Sequence, residues 1–152
     1  MEDLEKTKKA ALRLLNFRPR SESELRKRLT EKKLPRESVD SVVLELRRAD
    51  MLDDERFAKL YALSRIQSRA FGKGKVRREL TQRGLSVGVI ERAMESIADV
   101  DEQELALELA GRRLASMTSI PREARKRSLH GVLMRRGFGS AVIFQALDKL
   151  LG

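Results

Sequence analysis

The chain has 152 residues, 33 basic and 23 acidic side chains for a net charge of +10, and no cysteine. Disulfides, thiolate metal sites and cysteine nucleophiles are therefore excluded, and no apolar run approaches the roughly 18 residues that a membrane span needs. The positive excess is spread over all three thirds of the chain, which points to a polyanion or an acidic protein surface as partner, with a solvated, ion-paired surface as the competing reading.

Leu and Ala number 37 against 18 for Val, Ile and Thr. That balance favours helix, because Ala and straight-chain residues lose little rotamer freedom there. The charged opening Met1-Glu2-Asp3-Leu4-Glu5-Lys6 lacks the apolar core of a secretory leader, so a cytoplasmic location is expected. In chain order the spacing predicts helices at 3–16, 22–32 and 36–49, then 54–68, 73–83 and 87–98, then 102–117, 122–136 and 139–150. Ser21 with Glu24 fits a capping box, and Asp53 or Asp54 can cap the fourth helix. Gly84 and Gly137 each follow an arginine where a left-handed residue must turn the chain. Pro35 and Pro121 suit first-turn positions.

The nine helices fall into a repeat. Leu25, Leu29, Leu34, Val39, Val42, Val43 and Leu46 recur at fixed offsets as Val76, Leu80, Leu85, Ile90, Ala93, Met94 and Ile97. They recur again as Leu129, Leu133, Phe138, Ile143, Ala146, Leu147 and Leu150. The expected fold is all-α, with three tandem three-helix repeats at 1–51, 52–99 and 100–152. One repeat has too few apolar residues to bury much alone, so neighbours are expected to share surface in an elongated, curved array. Phe17, Phe57, Tyr61, Phe138 and Phe144 all fit core positions, which leaves Phe71 as the lone aromatic in a basic loop.

Reactive groups are scarce. His130, the single histidine, lies beside the apolar stripe of its helix and reads as a structural or surface residue. There is no nucleophile elbow, and Gly72-Lys73-Gly74-Lys75 lacks the spacing of a phosphate-binding loop. Asp53-Asp54-Glu55 is the densest acidic group, and helix capping accounts for it better than a metal. No catalysis, cofactor or metal is assigned.

The basic residues concentrate in two places. The first holds Arg65, Arg69, Lys73, Lys75, Arg77 and Arg78. Arg65 and Arg69 share a helical ridge, and Val76 with Leu80 turns Lys75, Arg77 and Arg78 outward. Arg83, at a helix end, also complements the helix dipole. The second holds Arg125, Lys126 and Arg127, with Arg122 before them and Arg135 and Arg136 beyond. Arg112 reads as the partner of Glu108, and Arg113 as a snorkelling residue. A stripe of these charges suits a phosphate backbone or an acidic groove. A solvated face remains open for either cluster.

Three stretches match a known family. Phe17-Arg18-Pro19-Arg20-Ser21-Glu22-Ser23-Glu24-Leu25 resembles the R-P-R-S-E-x-E-L signature of the RecX family. Leu52-Asp53-Asp54-Glu55-Arg56-Phe57-Ala58 resembles its L-D-D-x-x-F-A. Gly72 to Leu80, followed by Arg83-Gly84-Leu85, is similar to its G-x-x-x-I-x-x-E-L-x-x-K-G-I. The match runs from about residue 10 to 98, and the third repeat departs from it at Gly111 and in the long Ser116–Ser119 connection. The resemblance implies a modulator of RecA, built of tandem three-helix units, that lies in the groove of a RecA filament on DNA. Such proteins typically restrain filament growth, ATP hydrolysis and strand exchange. A monomer with weak direct contact to single- or double-stranded DNA is expected. The alternative is a helix-turn-helix regulator, but the third helices carry few basic or polar readers: Arg92 in the second repeat, Gln145 and Lys149 in the last.

Overall fold

A computed structural model describes residues 2–152. Among the described residues there are nine α-helices and no strand. They are α1 (Glu2–Phe17), α2 (Glu22–Glu31), α3 (Arg36–Arg48), α4 (Asp54–Arg69), α5 (Lys73–Gln82), α6 (Val87–Ser96), α7 (Glu102–Ala115), α8 (Arg122–Arg135) and α9 (Ser140–Leu151). No helix among the described residues is long and apolar enough to cross a membrane.

Of the positions that recur in sequence, the fold buries all but Leu34 and Leu150, which are partly buried. Leu25, Leu29, Val39, Val42, Val43 and Leu46 join Ala11 and Leu52 in the core where α1, α2 and α3 pack pairwise. Leu129, Leu133, Phe138, Ile143, Ala146 and Leu147 join Ala106, Leu109 and Ala110 where α7, α8 and α9 pack in the same way. All seven corresponding residues of the middle triplet, from Val76 to Ile97, are buried. Each fully buried leucine is worth about 1.5–3 kcal/mol. Two of the aromatics assigned to the core are not there. Phe17 is 82% exposed and Phe144 70% exposed, because each helix turns that face to solvent. Phe71, read as a loop aromatic, is buried instead.

The helices gather into two compact units. The first comprises the described residues up to Leu60 together with Leu80–Ala93, and the second Tyr61–Glu79 together with Met94–Gly152. The middle triplet contributes residues to both.

In the first unit, Ser21 forms the full capping box. Its hydroxyl accepts from the Glu24 N–H at 3.2 Å, and the Glu24 carboxylate accepts from the Ser21 N–H at 3.1 Å. The same hydroxyl donates to the Arg83 carbonyl at 2.6 Å, so one buried side chain ties the start of α2 to the end of α5. Arg83 continues the tie by donating to Glu24 at 2.9 Å. The two acidic candidates before α4 take different tasks. Asp53 accepts from the Arg56 N–H at 3.2 Å and caps the helix. Asp54 accepts from the Glu22 N–H at 2.8 Å. Burial pushes the Asp54 carboxyl above its usual range, with the Glu22 charge adding to it and the Glu22 N–H opposing it. Pro35 and Pro121 stand one residue before the first turn, as extended cap residues.

The predicted left-handed turns occur at Gly84 (φ +77°) and Gly137 (φ +89°). The first triplet makes the same turn at the equivalent position with Lys33 (φ +62°). A lysine there carries the steric cost, about 1–2 kcal/mol, that glycine avoids.

Candidate basic interface

The second unit brings part of the first basic cluster against the far end of α8. Ala70 (φ +52°) ends α4 and turns the chain, placing Phe71 in the interior. The Gly72 N–H then donates to the Arg136 carbonyl at 2.6 Å. A Cβ on Gly72 would stand 2.6 Å from the Gly137 carbonyl oxygen, so the two glycines let backbone meet backbone. Around this contact the Lys75 ammonium lies 4.3 Å from the Phe71 ring centre, and the Arg136 guanidinium 6.0 Å from it. Arg136 also donates through Nη1 to the Arg69 carbonyl at the end of α4.

Arg136 is held among like charges. Burial lowers its pKa, and the charges of Arg113, Arg69 and Arg112 lower it further, with no carboxylate opposing them. Arg69 lies in the last turn of α4, Arg112 and Arg113 in the last turn of α7, and Arg136 caps α8. Each helix C-terminus supplies roughly half a negative charge. Three such ends offset the four arginines only in part. Several basic groups elsewhere have acidic partners: Arg26 with Asp40 at 2.6 Å, Lys8 with Glu45 at 2.6 Å, Arg92 with Glu55. Donating to the Asp40 carboxylate raises Arg26, and donating to Glu55 raises Arg92, the opposite of Arg136.

The residues expected from sequence at a partner surface are distributed unevenly. Arg69 and Lys75 stand at this convergence. Arg65 packs 4.3 Å above the Tyr61 ring with its Nε 3.5 Å from Glu79, which also accepts from the Tyr61 hydroxyl. Lys73 is tied down: its ammonium donates to the Ala98 carbonyl at 3.0 Å and its N–H to Glu102 at 2.9 Å. Arg77 and Arg78 are exposed along α5. Arg125 is half-buried with its Nε unpartnered among the described residues, while Lys126 and Arg127 are exposed. These three lie near the start of α8, roughly 14–16 Å along the axis from Arg136 at about 1.5 Å per residue. Lys126 instead borders a cleft of about 360 Å³ with Arg122, His130, Phe144 and Leu151.

The sequence discounted Arg112 and Arg113 and read Arg136 only as a continuation of the second basic cluster. Arg112 and Glu108 are both exposed and form no ion pair among the described residues, so the four-residue spacing misassigned Arg112. The surviving signal was arginine in the last turns of α4, α7 and α8, which the dipole explains one helix at a time. Among the described residues no group of three or more His, Asp or Glu side chains is placed to hold a metal ion.

Family models described as the first, second and third three-helix domains of RecX match residues 8–46, 53–94 and 100–147. The chain belongs to the RecX family. Its three RecX matches fall in order on α1–α3, α4–α6 and α7–α9. The chain is 31% identical to the regulatory protein RecX of Thermobifida fusca over 140 residues, covering 92% of this chain and 76% of that one. It is 33% identical over 151 residues to the RecX of Corynebacterium efficiens, covering 93% and 72%. The crystal structure of RecX from Lactobacillus salivarius superposes with a TM-score of 0.77 at 19% identity, covering 98% of this chain and 97% of that one, a likeness of fold.

Proposed function

We propose that this chain is a regulator of RecA that binds the RecA filament on DNA and restrains filament growth, ATP hydrolysis and strand exchange. The observation that carries the reading is the match of all three RecX three-helix domains, in order, along one chain. The arginines gathered without a carboxylate around Arg136 support a polyanionic partner. In this reading the chain acts as a monomer in the cytoplasm, by binding and not by catalysis. Its repeats, bounded near residues 51 and 99, contact more than one RecA protomer. Several modest contacts on one chain gain from high effective concentration. Occupying neighbouring protomers then resists the rearrangements that filament growth and hydrolysis require. A sequence-reading regulator is less well supported, because Arg92 on α6 is engaged by Glu55.

The test follows ATP hydrolysis by the cognate RecA on single-stranded DNA. The protein should suppress it at or below one molecule per RecA protomer. Combined Arg78→Glu, Lys126→Glu and Arg127→Glu should raise the amount needed for half suppression by at least tenfold. Full suppression by a folded triple variant removes these residues from the interface. No suppression by the unaltered protein overturns the reading itself.

A further inference from the structure

We infer that the cavity beside the α1–α2 connection in the first unit, built around the buried guanidinium of Arg20, is a binding site for a small compound carrying two linked phosphoryl groups. The inference goes beyond the regulatory reading and does not depend on it.

The cavity holds about 380 Å³ and is lined by Arg18, Arg20, Lys27, Arg28 and Arg83 against Glu24 and Glu31. That volume lies at the small end of the range for small-molecule sites. Arg20 is only 5% exposed. Pro19 before it has a locked φ, and the capping box of Ser21 fixes the backbone after it. The Arg20 Nε donates to the Leu14 carbonyl, in the last turn of α1, at 3.1 Å. A guanidinium has five N–H donors and stays protonated. The four on Nη1 and Nη2 of Arg20 make no hydrogen bond among the described residues, and neither nitrogen is sealed in the core. They open into the cavity that Arg20 lines. A buried charge without a partner is costly, and an anion seated there offsets the cost.

The carboxylates in the wall do not supply that anion. Glu24 already accepts from the Ser21 N–H, from Arg18 at 3.3 Å and from Arg83 at 2.9 Å. Glu31 forms no ion pair among the described residues, and neither do Lys27 and Arg28, which are exposed on α2. The cavity thus has three more cations than carboxylates. One carboxylate of a protein partner would cancel a single charge. A phosphoryl group carries about 1.5–2 negative charges at neutral pH and three acceptor oxygens, so two linked groups match both the excess and the open donors of Arg20. Guanidinium forks pair with such oxygens through two parallel hydrogen bonds.

The site is assembled before any ligand arrives. Gln82 and Arg83, at the end of α5, form its far wall. The Ser21 hydroxyl holds that wall against α2 through the Arg83 carbonyl at 2.6 Å. A Cβ on Gly84 would overlap the Ser23 side chain, so glycine permits the close approach. Preorganisation of this kind reduces the entropy lost on binding.

The experiment titrates inorganic diphosphate into the full chain by calorimetry, without RecA or DNA, with sodium chloride holding ionic strength constant. One diphosphate should bind per chain, and inorganic phosphate at least tenfold more weakly. Lys27→Gln with Arg28→Gln should weaken diphosphate binding at least tenfold. The ligand-free melting temperature of that variant should stay within about 2 °C of the parent, because neither side chain has a partner in the fold. Arg20→Gln should abolish binding. Lys6→Gln with Lys9→Gln removes the same charge from α1 outside the cavity and should leave affinity unchanged. Absence of saturable binding by the parent overturns the site, as does full affinity in the Lys27/Arg28 variant or in a folded Arg20→Gln variant. Equal weakening by the Lys6/Lys9 variant also overturns it, since net charge alone would then hold the anion. Phosphate binding as tightly as diphosphate overturns the assignment of two linked groups. A short oligothymidylate is then added to the diphosphate complex. Displacement of the diphosphate assigns the cavity to a strand backbone and overturns the small ligand, while retention supports it.

Discussion

Gly137→Ala is expected to lower the melting temperature by about 10 °C, read by circular dichroism at 222 nm. The residue adopts φ +89°, which costs an L side chain about 1–2 kcal/mol. A Cβ there would also press on the backbone nitrogen and Cβ of Lys75 and stand 2.9 Å from its Cα. The neighbours are backbone, so nothing can swing aside. The loop must back away, and the hydrogen bond from the Gly72 N–H to the Arg136 carbonyl, worth about 1 kcal/mol, goes with it. Together these approach 3–4 kcal/mol, at roughly 2–4 °C per kcal/mol for a chain of this length. Gly111→Ala is the control. Its Cβ meets nothing within 4 Å in the middle of α7, so it should gain about 0.5–1 kcal/mol through helix propensity alone. A Gly137→Ala variant that melts within 2 °C of the parent contradicts the backbone contact.

Glu24→Gln should cost about 1.5–3 kcal/mol at pH 7, measured by urea denaturation, the range for losing a charged, largely buried hydrogen-bonding partner. Burial works against the Glu24 carboxylate. The Ser21 N–H, then Arg83 and Arg18, outweigh it and hold its pKa below the ordinary value. Glutamine keeps one acceptor for the cap but leaves Arg18 and Arg83 without their common anion, 3.3 and 2.9 Å away. It also removes the one charge that favours protonation of Arg20, whose pKa burial, Arg18 and Arg28 already lower. The sign of the pH dependence follows. A carboxyl with a depressed folded pKa binds fewer protons folded than unfolded, so its contribution is full above the unfolded value, near 4.3. The contribution declines as pH falls through the folded value. The gap between parent and Glu24→Gln should therefore be widest near neutrality and close toward pH 3. A gap that stays constant across that range would show that the carboxylate charge is not what holds the cap.

The helices and their buried faces were legible because periodicity is a local property. Leu25 and Leu29, or Ile143 with Ala146 and Leu147, declare a face within one turn, and the fold buries that face. Gly84 and Gly137 declared their turns because glycine is the cheapest residue there. Lys33 makes the same turn without announcing it, since its side chain says nothing about φ. Phe17 and Phe144 were misplaced because an aromatic at helical spacing looks the same whether or not another element covers it. The charged residues were harder still. Lys73 and Arg65 were expected at a partner surface, yet Ala98, Glu102 and Glu79 reach them from elsewhere in the chain. Arg112 and Arg113 lie 24 and 23 positions before Arg136, on another helix, and only the tertiary fold brings their charges to bear on it.

The two compact units differ in how their arginines are balanced. In the first, Arg26, Arg47, Arg83 and Arg92 each sit beside a carboxylate. In the second, Arg136 has Arg69, Arg112 and Arg113 as its charged neighbours, with no carboxylate opposing them. Rising ionic strength weakens attraction and repulsion alike, so it loosens the first arrangement while relaxing the second. A single chain thus carries two opposed responses to electrolyte, whose cancellation would hide both from a bulk melting curve and expose them only to site-resolved hydrogen exchange.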